Sequence, residues 1–144
     1  GSQVQEQSSV IDIQEFENKS NRFQAEQFVT FAIREEFIRR SNLVLIDNLS
    51  KADSILEGEI TGFDVKPVSY SNTAQANLYR VSIRLAVKFI DIRNNKIIYE
   101  SKAVSFSDQY EIETGDFFSQ ETEALEKISQ EFAASIVSII LENF

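Results

Sequence analysis

The chain predicts an α+β fold: a single four- to five-stranded mixed or antiparallel sheet with two helices packed on one face, in the order β-α-β-β-β-α. Three observations predict it. Tyr79, Val81, Ile83, Leu85, Val87 and Phe89 alternate with Arg80, Ser82, Arg84, Ala86 and Lys88, the period of a strand with one buried face. Residues 22–40 and 119–142 instead repeat their apolar residues at helical spacing. One Pro and four Gly in 144 residues leave few breaks, and this length suits one domain.

The first strand is Val10, Ile11 and Ile13, ahead of Phe16. Residues 17–21 form a turn, with Asn18 and Asn21 as candidate helix caps. The first helix, 22–40, buries Ala25, Phe28, Val29, Ala32, Ile33 and Phe37. Its Glu35 and Glu36 stand one turn before Arg39 and Arg40 on a solvated face, and the arginines suit the negative end of the helix dipole. Asn42 ends the helix. Leu43 to Ile46 make a short buried strand, and 47–53 connect it to the next.

The long strand from Ser54 to about Val68 puts Leu56, Gly58, Ile60 and Gly62 on one face and Glu57, Glu59 and Thr61 on the other. After Gly62 the apolar phase moves to Phe63 and Val65, which predicts a bulge there. Pro67 restricts that end to an edge or a terminus. Glycine on a covered face makes room for a closely packed helix. Residues 69–77 read as the longest loop, and the last strand spans about Ile97 to Ser107.

Arg93-Asn94-Asn95 suits a three-residue hairpin loop with Asn95 left-handed. Counting from it pairs Phe89 with Tyr99, Leu85 with Ala103, Ile83 with Ser105, Lys88 with Glu100 and Arg80 with Asp108. Residues 108–118 form an acidic, aromatic loop. The second helix, 119–142, opens at Ser119 or Thr122 and buries Leu125, Ile128, Phe132, Ile136 and Ile139 or Ile140.

Composition excludes several functions. Without Cys there is no disulfide framework or thiol nucleophile, and without His the commonest general base and metal ligand is missing. A formal net charge of −9 argues against non-specific nucleic-acid binding, which needs a basic face. No run approaches the ~18 apolar residues of a membrane-spanning helix. Gly1-Ser2 reads as the remnant of a cleaved expression tag and 1–8 as tag and tether, leaving 9–144 as the domain. An upstream signal peptide and lipid-attachment Cys are compatible with that reading.

The chemistry-bearing residues are few. Glu57 and Glu59 form a solvated pair rather than an acid–base couple. Asp108, Glu111, Glu113 and Asp116 lack the spacing and central glycine of a calcium loop, so no metal is assigned. Gly58 and Gly62 do not make a nucleotide fingerprint, and no cofactor is expected. What remains is the sheet face turned from the helices. The counted register places Arg80, Arg84, Lys88 and Lys102 there, interleaved with Ala86, Val104 and Phe106. Cations beside apolar groups suit a protein partner or an anionic amphiphile.

Three ordered phrases carry a resemblance: Phe16-Glu17-Asn18-Lys19-Ser20; Arg34-Glu35-Glu36-Phe37-Ile38-Arg39-Arg40; and Ala52-Asp53-Ser54-Ile55-Leu56-Glu57-Gly58-Glu59-Ile60-Thr61. Tyr79-Arg80-Val81, the Asp91 to Lys96 hairpin and Tyr99-Glu100 continue it, so that it covers roughly 9–142. The chain resembles the LptE family of lipopolysaccharide-assembly lipoproteins. That resemblance implies a sheet with two helices on one face and an N-terminal lipid anchor on the periplasmic side of the outer membrane. It also implies a non-enzymatic role as partner and plug of an LptD-type β-barrel. Binding of lipopolysaccharide by so acidic a chain would be local, at Arg80, Arg84, Lys88 and Lys102. The N-terminal domain of TolB and other small envelope lipoproteins share similar phrases. The alternative is therefore a binding module of another envelope machine, such as a TolB-like or secretion-associated lipoprotein.

Overall fold

In the computed structural model, residues 10–70, 76–111 and 117–143 are described. The elements are β1 (Val10–Ile13), β2 (Glu17–Asn18), α1 (Ala25–Arg40), β3 (Val44–Leu45), a 3-10 turn (Leu49–Lys51), β4 (Ser54–Tyr70), β5 (Ala76–Asp91), β6 (Lys96–Glu111) and α2 (Phe117–Asn143). The sheet has six strands in the order β3-β1-β4-β5-β6, with the short β2 also on β4. Parallel pairing ties β1 to β3 and β4. The long strands β4, β5 and β6 pair antiparallel. This is the expected α+β arrangement with one strand more than counted. Glu17 and Asn18, read as turn, pair with Glu59 and Ile60.

The core lies between the helices and one sheet face. Ile11, Phe16, Ile33, Phe37, Leu56, Ile60, Ile83, Leu85, Phe89, Leu125, Ile128 and Phe132 are all fully buried there. Phe16 meets Phe132 of α2 edge-on, with ring centres 6.4 Å apart. The backbone after β1 is held by α1: the Phe16 N–H donates to the buried Thr30 Oγ1 at 2.9 Å, and Arg34 Nη2 donates to the Ile13 carbonyl at 2.8 Å. Buried backbone donors need such partners.

Helix boundaries depart from expectation for local reasons. α1 begins at Ala25, after a left-handed Gln24 (φ 67°), and no side chain caps it. Asn18 closes the preceding turn instead, accepting from the Ser20 N–H at 3.0 Å and donating to the Arg22 carbonyl at 2.8 Å. The stop is Ser41, whose N–H and hydroxyl both donate to the Phe37 carbonyl. Glu36 is buried rather than solvated, and ion-pairs with Arg39 and, at 3.3 Å, with Arg40. Arg40 also donates to the Ala134 carbonyl (3.0 Å) and to Ser138 Oγ (2.7 Å), fastening α1 to α2. α2 begins at Phe117, earlier than its expected cap. Thr122 lies within it and accepts from Arg22 Nη2 at 3.2 Å.

β3 is a two-residue edge strand with Val44 58% exposed, where a buried strand was expected. Its outer side has no neighbour in the sheet order. The strands of the β4–β5 and β5–β6 hairpins also run further than expected, through Tyr70, from Ala76 and through Glu111. Of the expected loops 69–77 and 108–118, residues 71–75 and 112–116 lie outside the described residues, as does the tether 1–8. Pro67 sits where β4 has passed its parallel neighbours, so its missing N–H breaks no ladder on that side.

Candidate functional site on the open sheet face

Two bulges decide which residues face away from the helices. On β4 the extra residue is Thr61, between Ile60 (opposite Leu85) and Gly62 (opposite Arg84). That is one residue earlier than expected, and it moves Gly62 to the open face. A Cβ at Gly62 would stand 2.1 Å from Arg84 Nη2. The glycine is thus a shelf for a guanidinium and not room for a helix. Arg84 lies across it and pairs with Asp64 at 2.8 Å. Gly58 does stay on the covered face, but a Cβ there would meet the Phe16 ring at 2.5 Å and the Ala86 carbonyl at 2.6 Å. It accommodates an aromatic ring, where a helix was expected.

The second bulge lies in β6 opposite Ala86. Phe89 pairs with Tyr99 and Lys88 with Glu100, as counted from the hairpin. Beyond the bulge every partner moves by one: Leu85 faces Val104, Ile83 faces Phe106 and Arg80 faces Gln109. A single inserted residue reverses the facing of all that follow, because side chains alternate along a strand. Val104 and Phe106 are therefore on the helix side. Both pack against the core, and Phe106 meets Phe132 edge-on at 5.3 Å. Their expected place on the open face is corrected. The hairpin itself is one residue longer than counted, with Asp91 paired to Lys96 and Asn95 left-handed (φ 51°), and a further shift between Phe89 and Ile90 returns the strands to the counted register.

Arg80, Arg84, Lys88 and Lys102 remain together on the open face. Arg80, Arg84 and Lys102 are exposed and Lys88 half-buried. Acids are interleaved with them. Lys88 stands between Glu57 and Glu100 on its neighbouring strands. Lys19, beyond β2, reaches Glu59 at 2.9 Å. That hydrogen bond, with the charges of Glu59 and Glu17, holds the Lys19 ammonium above the ordinary lysine value. Glu57, Glu59, Lys88, Glu100 and Lys102 surround a shallow depression of about 310 Å³. At the far end, Lys66 faces Arg80, and neither is in an ion pair among the described residues.

Sequence reading passed over Lys66, Asp64 and Lys19. The signal for Lys66 is the β4–β5 register, which cannot be counted across an unspecified loop. Three register shifts in that pair make counting harder still. The acidic group Asp108, Glu111, Glu113 and Asp116 is not brought together as far as it is described. Asp108 and Glu111 belong to β6, whereas Glu113 and Asp116 lie outside the described residues. No cluster of three or more potential metal ligands occurs among the described residues, and no described helix is long and apolar enough to cross a membrane.

A family model described as LptE, lipopolysaccharide-assembly, matches residues 9–140. The fold is similar to that of the hypothetical protein CT253 from Chlamydia trachomatis, with 14% identity, a TM-score of 0.65 and coverage of 92% of this chain and 95% of that one. A putative lipoprotein from Caulobacter crescentus CB15 is similar over 99% of this chain and 93% of its own, at 13% identity and a TM-score of 0.60. The rare lipoprotein B from Shewanella oneidensis is similar over 91% of each chain, at 12% identity and a TM-score of 0.53. Likeness at these identities speaks to fold. No curated protein matches the chain in sequence.

Proposed function

The chain belongs to the LptE family of lipopolysaccharide-assembly proteins, and from that premise we propose that it is an outer-membrane lipoprotein acting as partner and plug of an LptD-type β-barrel. In this reading a lipid on a Cys upstream of the described residues anchors it on the periplasmic side. The role is one of binding and positioning, without catalysis, as in the family as a whole.

The observation that carries this reading is the uncovered sheet face opposite the two helices. A face bearing Arg80, Arg84, Lys88 and Lys102 can meet phosphates and carboxylates, and guanidinium groups take such anions in a two-pronged geometry. With Val104 and Phe106 on the helix side, this face offers little to acyl chains. Contact with lipopolysaccharide therefore runs through its anionic sugar–phosphate part, or the face meets an acidic stretch of barrel wall. Glu57, Glu59, Asp64 and Glu100 limit the net attraction and favour a partner with a matching pattern of charge.

Co-expression with an LptD-type barrel, both with intact anchors, is the test. Co-purification as a stoichiometric complex is expected. Failure to associate overturns the partnership and leaves the family's fold serving another envelope machine.

A further inference from the structure

The two helices treat their outer sides differently. On α2 the apolar residues Leu125, Ile128, Phe132, Ile136 and Ile140 are all buried, and from residue 121 to 143 no large hydrophobic residue is exposed. α1 is apolar on two sides. Ala25, Val29, Ala32, Ile33 and Phe37 are buried, yet Phe31 is 66% exposed and Ile38 58% exposed. These two lie seven residues apart, two helical turns along one face. Phe23, just before the helix, is also 76% exposed. A second apolar stripe on a helix already seated on its core is the pattern of a surface that receives something.

Beside that stripe lies a crevice of about 680 Å³ between α1 and α2. Phe28, Phe31 and Ala32 contribute its apolar surface, and Glu35 of α1 and Glu126 of α2 stand on it from the two helices, with Gln130 beside them. Both acids are exposed, and neither is in an ion pair among the described residues. The one cation of the lining, Arg39, is engaged by the buried Glu36. The crevice is thus aromatic in its apolar part and negative at its margins.

We propose that this crevice is a docking groove for a cationic amphipathic helix of a partner protein. Three features select that occupant. A channel between two helices accepts a third, whose apolar residues at every third or fourth position enter the groove. The volume suits a few inserted side chains. The unpaired Glu35 and Glu126 favour Lys or Arg flanking those anchors, and disfavour an anionic lipid surface or a second copy of a chain that itself carries a net charge of −9. The groove lies on the helix layer, away from the open sheet face, so the inference stands apart from the barrel partnership.

The probe is a fluorescein-labelled amphipathic helical peptide of Leu and Lys alone, with a twin carrying Glu for every Lys. Fluorescence anisotropy should show saturable binding of the cationic peptide and none of the acidic twin. Glu35→Lys with Glu126→Lys should weaken binding about tenfold or more, as should Phe31→Ser. Glu57→Lys with Glu100→Lys, an equal charge change on the sheet face, should leave it within about twofold. Circular dichroism melts of all variants control for folding, since every altered side chain is exposed. Equal weakening by the two double variants would reduce the effect to overall charge and overturn the proposal. So would equal binding of the acidic twin. Phe31-dependent binding to phosphatidylglycerol vesicles would replace the peptide with a lipid surface. A concentration-dependent dimer abolished by Phe31→Ser would replace it with self-association.

Discussion

Among the described residues the open sheet face and the helix-side crevice are both uncovered, and they are built on opposite rules. On the sheet, cations and acids alternate between strands: Lys88 between Glu57 and Glu100, Arg84 with Asp64, Lys19 with Glu59. Antiparallel neighbours stand opposite one another, so like charges there cost energy and unlike charges are selected as pairs. On the outer side of α1 and α2 no described element stands opposite, and Glu35 and Glu126 keep one sign beside the exposed Phe31. A chequered face discriminates by pattern. A face of one sign with apolar anchors discriminates by charge and hydrophobicity together.

The sharpest way to break this contrast is to test which side β6 feeds. Phe132→Ala should cost about 3–5 kcal/mol in chemical denaturation, since its fully buried ring meets both Phe16 and Phe106. Phe106→Ala, half-buried beneath the same ring, should cost about 2 kcal/mol. A near-neutral Phe106→Ala would return that residue to the open face and undo the bulge assignment.

The two glycines sharpen it next. Gly58→Ala should destabilise by about 1–3 kcal/mol, because the added methyl meets a core ring and a strand carbonyl that have nowhere to go. Gly62→Ala meets only the far end of the Arg84 side chain, which can swing away, and should cost under about 1 kcal/mol. Matched melting curves of the two variants check the order.

A smaller stability effect with a larger functional one is expected on the sheet face. Arg84→Glu with Lys102→Glu should shift stability by no more than about 0.5 kcal/mol per site while weakening lipopolysaccharide or barrel binding. Unchanged binding by surface plasmon resonance would remove the open face from the function.

The smallest effect lies where α2 meets β6. Glu131 has its pKa raised above 4.5, chiefly by burial, then by its hydrogen bond with Asp108 and that carboxylate's charge, against a lowering from Lys127. Burial, with the charges of Glu131 and Asp108, likewise pushes the Tyr110 hydroxyl upward. The folded state prefers protonated Glu131. This contribution is fully present below pH 4.5 and is lost as pH rises through the folded value. Glu131→Gln should therefore stabilise the protein near neutrality, by no more than about 0.5 kcal/mol after solvent screening, and make no difference in acid. Denaturant midpoints at the two pH values check the sign.

Much of this is legible in the amino-acid sequence alone. The alternation from Tyr79 to Phe89 marks β5 and its buried face, and all of its covered positions from Val81 to Phe89 are buried. The helical spacing of Leu125, Ile128, Phe132 and Ile136 marks α2 likewise. The four cations of the open face were legible too, three of them because β5 keeps a strict period from Arg80 to Lys88. The phase change after Gly62 announced the β4 bulge to within one residue, but the inserted residue in β6 was not legible. Nothing in Ala86, Lys102 or Ala103 announces a bulge, yet it carries Val104 and Phe106 to the other side. Nor does the local pattern around Phe31 and Ile38 show that a helix apolar on both sides will keep one side uncovered.

Periodicity and composition were therefore enough for the number and kind of the main elements, because a strand or helix with one buried face must repeat its apolar residues every two or every 3.6 positions. The absence of His and Cys removes imidazole and thiol chemistry from these 144 residues. Facing and exposure were left to the assembled fold. Register depends on the summed packing of whole strands, which inserted residues can satisfy as well as an unbroken ladder. Whether a stripe is buried depends on what else the chain has to lay against it, and α1 has more apolar surface than the sheet and α2 cover.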